Sequence, residues 1–266
     1  MNVDAIVLAG GRSSRLGGVA KAGLVFEGRT LLQRTLDAVP DARRTIVVGD
    51  TALRAQLGNA APARSITFVR EDPPFAGPAA AVAAGLDALA GLDAFDKRGA
   101  GERGAEVLDA GVFGAGAARA GALEGPGVDW VFVLACDMPE VGAVVELLRS
   151  AVVGAVVAAV DGATADSGVE PDPGPAESNF SAVRDGIVAV DDDGRRQLLA
   201  GLYRRQALMG AVERAQAAGP IVDLSVRALL GHLDLIESPV QNALTHDVDT
   251  WHDALTFGIS RKELAS

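Results

Sequence analysis

Short apolar runs recur along the chain at "AIVLAG" (5–10), "TIVVGD" (45–50), "SITFVRED" (65–72), "DWVFVLACD" (129–137) and "GAVVAAVD" (154–161), with helix-like stretches between them. Runs of this length that are apolar on both faces suit buried strands, and the intervening helices supply the crossovers that parallel strands require. The pattern predicts an α/β fold around a mainly parallel sheet with both faces covered. Later segments fit the same plan. "QLLAGLYRRQALMGAVERAQ" reads as a strand leading into a helix, "LSVRALLGHLDL" as a helix capped by Ser225, and "LIESP" as a last strand. Thr30 with Gln33, and Thr250 with Asp253, have the spacing of helix-opening capping boxes.

With 266 residues, 49% of them hydrophobic, the chain can bury one substantial core and is read as a single domain over 1–266. Two stretches break the pattern. Residues 99–127 contain 17 Gly or Ala among 29 positions, and residues 161–178 carry three prolines and five acids without a basic residue. Such compositions bury too little to offset their ordering entropy, so both are expected to be mobile insertions.

The first apolar run passes directly into "GGRSSRLGGVAK" (10–21), where Gly10 and Gly11 allow a sharp turn and Arg12, Arg15 and Lys21 supply positive charge. A loop of backbone N–H groups and cations suits a polyphosphate. It is neither of two common phosphate loops. Lys21 lies between Ala20 and Ala22, without the hydroxyl of a Walker A motif, and Gly10-Gly11 are adjacent rather than spaced as in the dinucleotide fingerprint.

A formal net charge of −11 argues against a sequence-independent nucleic-acid binder, which needs a basic surface. Residues 1–50 nevertheless hold seven Lys/Arg against five Asp/Glu, leaving the loop a locally positive field for a small anionic ligand. The single cysteine, Cys136, excludes an intrachain disulfide and suits a cytoplasmic location; it is read as a core residue. The start "MNVDAIVLAGG" has no basic leader, and no apolar run is expected to approach the roughly 20 residues of a membrane span. A soluble, untargeted protein without membrane partners is expected.

Ligands of open α/β sheets collect at the carboxyl ends of the strands. There the sequence places the 10–21 loop, Glu71-Asp72, and Asp137, with Asp247 and Asp249 on a late turn. An aspartate delivered by an apolar strand suits Mg²⁺, which takes one or two carboxylates plus substrate phosphates. The competing reading of Asp137 is a helix N-cap ahead of Pro139. His232, His246 and His252 lack zinc-like partners at helical spacing and are read as surface or capping residues, and Trp130 and Trp251 as packing residues.

"LAGGRSSRLGGVAK", "REDPPFAGPAAAVAAGL", "VFVLACDMP", "LLAGLYRR" and "DVDTWHDAL" follow one another in the order seen in molybdenum cofactor guanylyltransferase-like nucleotidyltransferases, which the chain resembles over nearly its whole length. The resemblance implies a Rossmann-like three-layer fold with a mainly parallel mixed sheet. It implies Mg²⁺-dependent transfer of GMP from GTP to molybdopterin with release of pyrophosphate, and transient contact with other cofactor-synthesis proteins. Carried over by position, Leu8, Ala9, Gly10 and Gly11 line the nucleotide, Arg15 and Lys21 contact phosphates, and Asp72 helps hold the nucleoside. Asp137 ligates the metal, with Asp247 or Asp249 completing the site. The chain departs from the family pattern at Ala20, where an aspartate is usual, and at Gly49-Asp50, where the strand commonly ends in asparagine. A related cytidylyltransferase, a sugar- or lactate-phosphate nucleotidyltransferase, and a non-catalytic nucleotide-binding paralogue stay open.

Overall fold

The computed structural model describes residues 3–11, 13–60, 65–99, 130–167 and 184–259. Seven strands form one sheet: β1 (Val3–Leu8), β4 (Arg44–Val48), β5 (Ser65–Val69), β6 (Trp130–Ala135), β7 (Gly186–Val190), β8 (Arg196–Arg204) and β9 (Leu235–Pro239). Their order is β5-β4-β1-β6-β8-β7-β9, and the short β2 (Val25–Phe26) and β3 (Arg29–Thr30) pair separately. β5, β4, β1 and β6 run parallel, whereas β8 runs antiparallel to both of its neighbours. β9 is parallel to β7. The fold is therefore α/β with a mostly parallel mixed sheet, as expected.

Alternation along β1 shows how the sequence builds three layers. Ile6 and Leu8 join one buried cluster with Leu86, Leu89, Leu208 and Leu229, from α2 (Pro78–Gly99), α4 (Arg205–Ala218) and α5 (Val226–Leu230). Val3 and Ala5 point the opposite way, into a cluster with Val141, Val144 and Leu148 of α3 (Val141–Ser167). Val7 packs on that same face against Leu32 and Leu36 of α1 (Leu31–Ala38). A strand buried on both sides has no solvent face, which is why these runs read as continuously apolar. Both capping boxes form, Thr30 with Gln33 opening α1 and Thr250 with Asp253 opening α7 (Trp251–Thr256). Ser225 caps α5, its hydroxyl accepting from the Ala228 N–H. The four-residue α6 (Asn242–Thr245) lies between β9 and α7.

Three expectations are corrected. "GAVVAAVD" is not a strand but part of α3, because an apolar run without polar residues to phase it cannot be told from a buried helix by pattern. That helix continues to Ser167, so the first residues of the 161–178 stretch are helical, while 168–178 and 100–127 lie outside the described residues. Pro78–Asp96 of α2 is, by length and composition, long and apolar enough to cross a membrane, but half of it is buried and α2 packs against β1 and β4.

At the amino-terminal edge of the sheet a charge cluster ties strands to helices. Asp4 is fully buried and accepts from Arg43, while Asp93 of α2 pairs with Arg43, Arg44 and Arg205. This edge is opposite the strand ends that carry the candidate site.

Candidate active site at the carboxyl ends of β1 and β6

The loop after β1 is held by its apolar residues. Leu16 and Leu24 are buried with Leu31, Val248, Ala254 and Ile259, and the Trp251 indole N–H donates to the Leu16 carbonyl at 3.2 Å. This small core clamps the loop to the carboxyl-terminal turn. The Val248 side chain is buried there, and its N–H donates to the Asp137 carbonyl at 2.9 Å. With Val248 directed inward in an extended turn, the flanking Asp247 and Asp249 are directed toward Asp137. One carboxylate oxygen from each of Asp137, Asp247 and Asp249 lies within 4.8 Å of the others.

Lys21 stands among these acids. Its ammonium donates to Asp137 Oδ2 at 2.9 Å and also to Asp249 Oδ1. Burial works against the Lys21 charge, but Asp137 and Asp249 outweigh it and hold the group protonated above the ordinary lysine range. Partial desolvation, followed by the charges of Asp137 and Asp249, raises the Asp247 carboxyl. Three crowded carboxylates with one lysine are a hard-oxygen donor set short of positive charge, one that could hold a divalent metal ion. Arg15 is largely exposed, with Nη1 3.8 Å from Asp249 Oδ2. Thus Arg15, Lys21, Asp137, Asp247 and Asp249, predicted from distant parts of the sequence, meet at one place.

The remaining expected residues divide. Leu8 and Ala9 are buried; the Leu8 carbonyl accepts from Cys136 N–H and the Ala9 N–H donates to the Val48 carbonyl. Gly10 and Gly11 are exposed, and Gly11 has φ +134°, which favours glycine. Arg12 lies outside the described residues. Asp72 is exposed, whereas its neighbour Glu71 is buried toward Gly10. Asp137 is not a helix N-cap, since α3 begins four residues later at Val141. Cys136 is 4% exposed, and burial together with the charge of Asp137 raises its thiol well above the ordinary range, so it is a core residue and no nucleophile. Trp130 is buried in the sheet, and the His246 ring packs edge-on against Phe257.

Gly49 has a packing reason that the sequence pattern did not reveal. A Cβ there would lie 3.0 Å from the Ala9 carbonyl carbon and 3.2 Å from Gly10 N, against backbone on both counts. An asparagine at this position would push the β1 loop away. We expect Gly49→Ala to cost about 1–2 kcal/mol by overpacking, lowering Tm by about 2–8 °C. Thermal unfolding monitored by circular dichroism checks this, and an unchanged Tm would mean the loop yields freely.

A family model described as the MobA-like NTP transferase domain matches residues 5–234, which include most of β1, the loop and Asp137. The chain belongs to this family. The matched span covers most of the sheet and includes Asp137, and it stops short of Asp247 and Asp249.

Solved structures of nucleotidyltransferase fold are similar across nearly the whole chain. Rv0371c from Mycobacterium tuberculosis H37Rv is 18% identical with a TM-score of 0.55, covering 96% of this chain and 97% of its own. 4-Diphosphocytidyl-2C-methyl-D-erythritol synthase from Anaerococcus prevotii is 11% identical with a TM-score of 0.53, covering 96% and 94%. CTP:phosphocholine cytidylyltransferase from Streptococcus pneumoniae is 11% identical with a TM-score of 0.51, and both chains are covered fully. At these identities the likeness is one of fold. A comparison with curated protein sequences returns no significant match.

Proposed function

We propose that this nucleotidyltransferase moves GMP from GTP to molybdopterin, in the cytoplasm and with Mg²⁺, releasing pyrophosphate. The observation that carries the reaction class is the convergence of Lys21, Asp137, Asp247 and Asp249 beside the glycine loop. The guanylyl and pterin assignments rest on the order of motifs from "LAGGRSSRLGGVAK" to "DVDTWHDAL".

An oxygen of the acceptor phosphate forms a bond to the α-phosphorus of GTP. The bond from that phosphorus to the β-phosphate oxygen breaks, and its electron pair leaves on pyrophosphate. No protein nucleophile takes part. Asp137, with Asp247 and Asp249, holds the divalent ion, which when bound neutralises triphosphate charge and helps orient it. Lys21 places a fixed cation beside the same carboxylates, and Arg15 offers a second at the rim; both offset negative charge growing on the leaving group. Gly10 and Gly11 let the phosphates approach the backbone closely.

The test is incubation of the protein with Mg²⁺ and molybdopterin, with GTP or CTP supplied separately, following pyrophosphate and the pterin product by mass. The expected result is guanylated pterin from GTP. Product from CTP alone would move the assignment to a cytidylyltransferase, and nucleotide binding without product in any mixture would point to a non-catalytic paralogue.

A further inference from the structure

Lys21 opens a short 3₁₀ turn, Lys21–Gly23, whose backbone is held by its neighbours. Ala22 and Leu24 are buried, and the Gly23 and Leu24 N–H groups donate to the Ala20 and Lys21 carbonyls at 3.0 and 2.9 Å. The part free to move is the side chain, an ammonium on a flexible four-carbon stem. It bridges two of the three clustered acids, with Nζ donating to Asp137 Oδ2 at 2.9 Å and to Asp249 Oδ1. The Lys21 and Asp137 side chains are each 21% exposed, so this contact is shielded from solvent. Arg15 also approaches Asp249, at 3.8 Å, but from an open position with its side chain 74% exposed. An ammonium meets a carboxylate oxygen at about 2.8 Å and Mg²⁺ meets one at about 2.1 Å, so both cations compete for the same oxygens.

We propose that, until a nucleotide binds, Lys21 holds the place between Asp137 and Asp249 that a divalent ion would take, so that the triad accepts metal only as phosphates draw Lys21 away. This rests on the reading of Asp137, Asp247 and Asp249 as a metal site beside a phosphate loop. Phosphate oxygens offer the ammonium the same charge-assisted hydrogen bonds that the acids give it, and the swing therefore leaves no shielded charge without a partner. Nucleotide and metal are then positively coupled, each raising the affinity for the other by the same factor. A lysine that did no more than bind phosphate would leave metal affinity unchanged when nucleotide is absent. A place-holder, once removed, lets metal bind more tightly there.

Mn²⁺ titration of the protein without nucleotide, followed by the electron paramagnetic resonance of unbound Mn²⁺, measures this. Lys21→Met keeps the apolar stem and removes the charge. It is expected to bind Mn²⁺ at least about tenfold more tightly than the wild type, because a shielded cation so close to the ion repels it strongly. Arg15→Met controls for loss of charge alone and is expected to change the affinity by less than about threefold, since an exposed cation is screened by solvent. The wild type supplies a readout that needs no variant. The chain has three lysines, Lys21, Lys97 and Lys262, few enough to assign their ¹⁵N-labelled ammonium resonances. The Lys21 resonance is expected to stay in place with millimolar Mg²⁺ alone and to shift when GTP joins it. Equal Mn²⁺ affinity in wild type and Lys21→Met, equal tightening by Arg15→Met, or a Lys21 resonance moved by Mg²⁺ alone would overturn the place-holder. In each of those cases metal still binds and the metal-site reading stands. No Mn²⁺ bound by any of these proteins, even with GTP, would overturn both.

Discussion

Asp137→Asn is expected to lower Mg²⁺-dependent pyrophosphate release by at least about a hundredfold, some 2.7 kcal/mol, while leaving the fold intact. The substitution preserves shape and nearly the same volume at the end of β6. It removes the charge that accepts from Lys21 and that faces Asp247 and Asp249. The loss falls mainly on the rate, because charge builds up in the transition state more than in the ground state. Lys21→Ala differs: a cation that meets the phosphates in both states contributes to binding as well, so nucleotide affinity and rate fall together. Steady-state pyrophosphate assays over a range of GTP concentrations separate the two. Near-normal release by Asp137→Asn would make the aspartate structural.

The second large effect lies at the other edge of the sheet and concerns stability. Asp93 faces Arg43, Arg44 and Arg205, and Arg205 already has its Nε and Nη2 buried without a hydrogen-bond partner among the described residues. Asp93→Asn puts a neutral amide where the three guanidinium groups meet, leaving Asp4 as the acid beside Arg43 and Arg205 and Asp96 as the acid beside Arg44. Breaking a buried pair by removing one charge costs about 3–5 kcal/mol, and the half-exposed Arg43 moves the expectation to the low end, a Tm loss of about 6–12 °C. Burial opposes ionisation of Asp93, but the hydrogen bond from Arg43 and the charges of Arg205 and Arg44 outweigh it and hold the carboxyl below its ordinary range. The unfolded chain therefore binds this proton at higher pH than the folded one. The stabilisation is complete above the unfolded value of about 3.9 and is lost as pH falls through the folded value. Melting curves from pH 7 down to about pH 2.5 are thus expected to show the gap between wild type and Asp93→Asn closing below about pH 4. A gap that stays constant would mean that Asp93 contributes by packing alone.

Much of this is legible in the sequence, for local reasons. β1, β4, β5 and β6 announce themselves because strands buried on both faces must be apolar throughout. The capping boxes at Thr30 and Thr250 were legible because both partners lie within one turn. Asp137 could be placed because an aspartate ends an apolar strand, and Asp247 and Asp249 because they flank one apolar residue on a turn. What escaped depends on distant contacts. β7, the short "GIVAV" before "DDDG", is stabilised by pairing with β8 and β9, which no local pattern reports. The helical state of "GAVVAAVD" is set by the preceding turns of α3. Gly49 needs no side chain because Ala9 and Gly10, just past the end of β1, pass against it.

The central claim is that Asp137, Asp247 and Asp249, with Lys21 beside them, hold the metal and triphosphate. It is tested most directly by crystals grown with Mn²⁺ and a GTP analogue carrying a methylene between the α- and β-phosphates. Anomalous diffraction at the manganese edge locates the ion without reference to any assumed geometry. The account predicts one strong peak within ligand distance of Asp137 and of at least one of Asp247 and Asp249, with triphosphate oxygens completing its coordination and Lys21 turned to the phosphates. A peak bound by other residues, or triphosphate ordered elsewhere on the sheet with no peak at this triad, would contradict it.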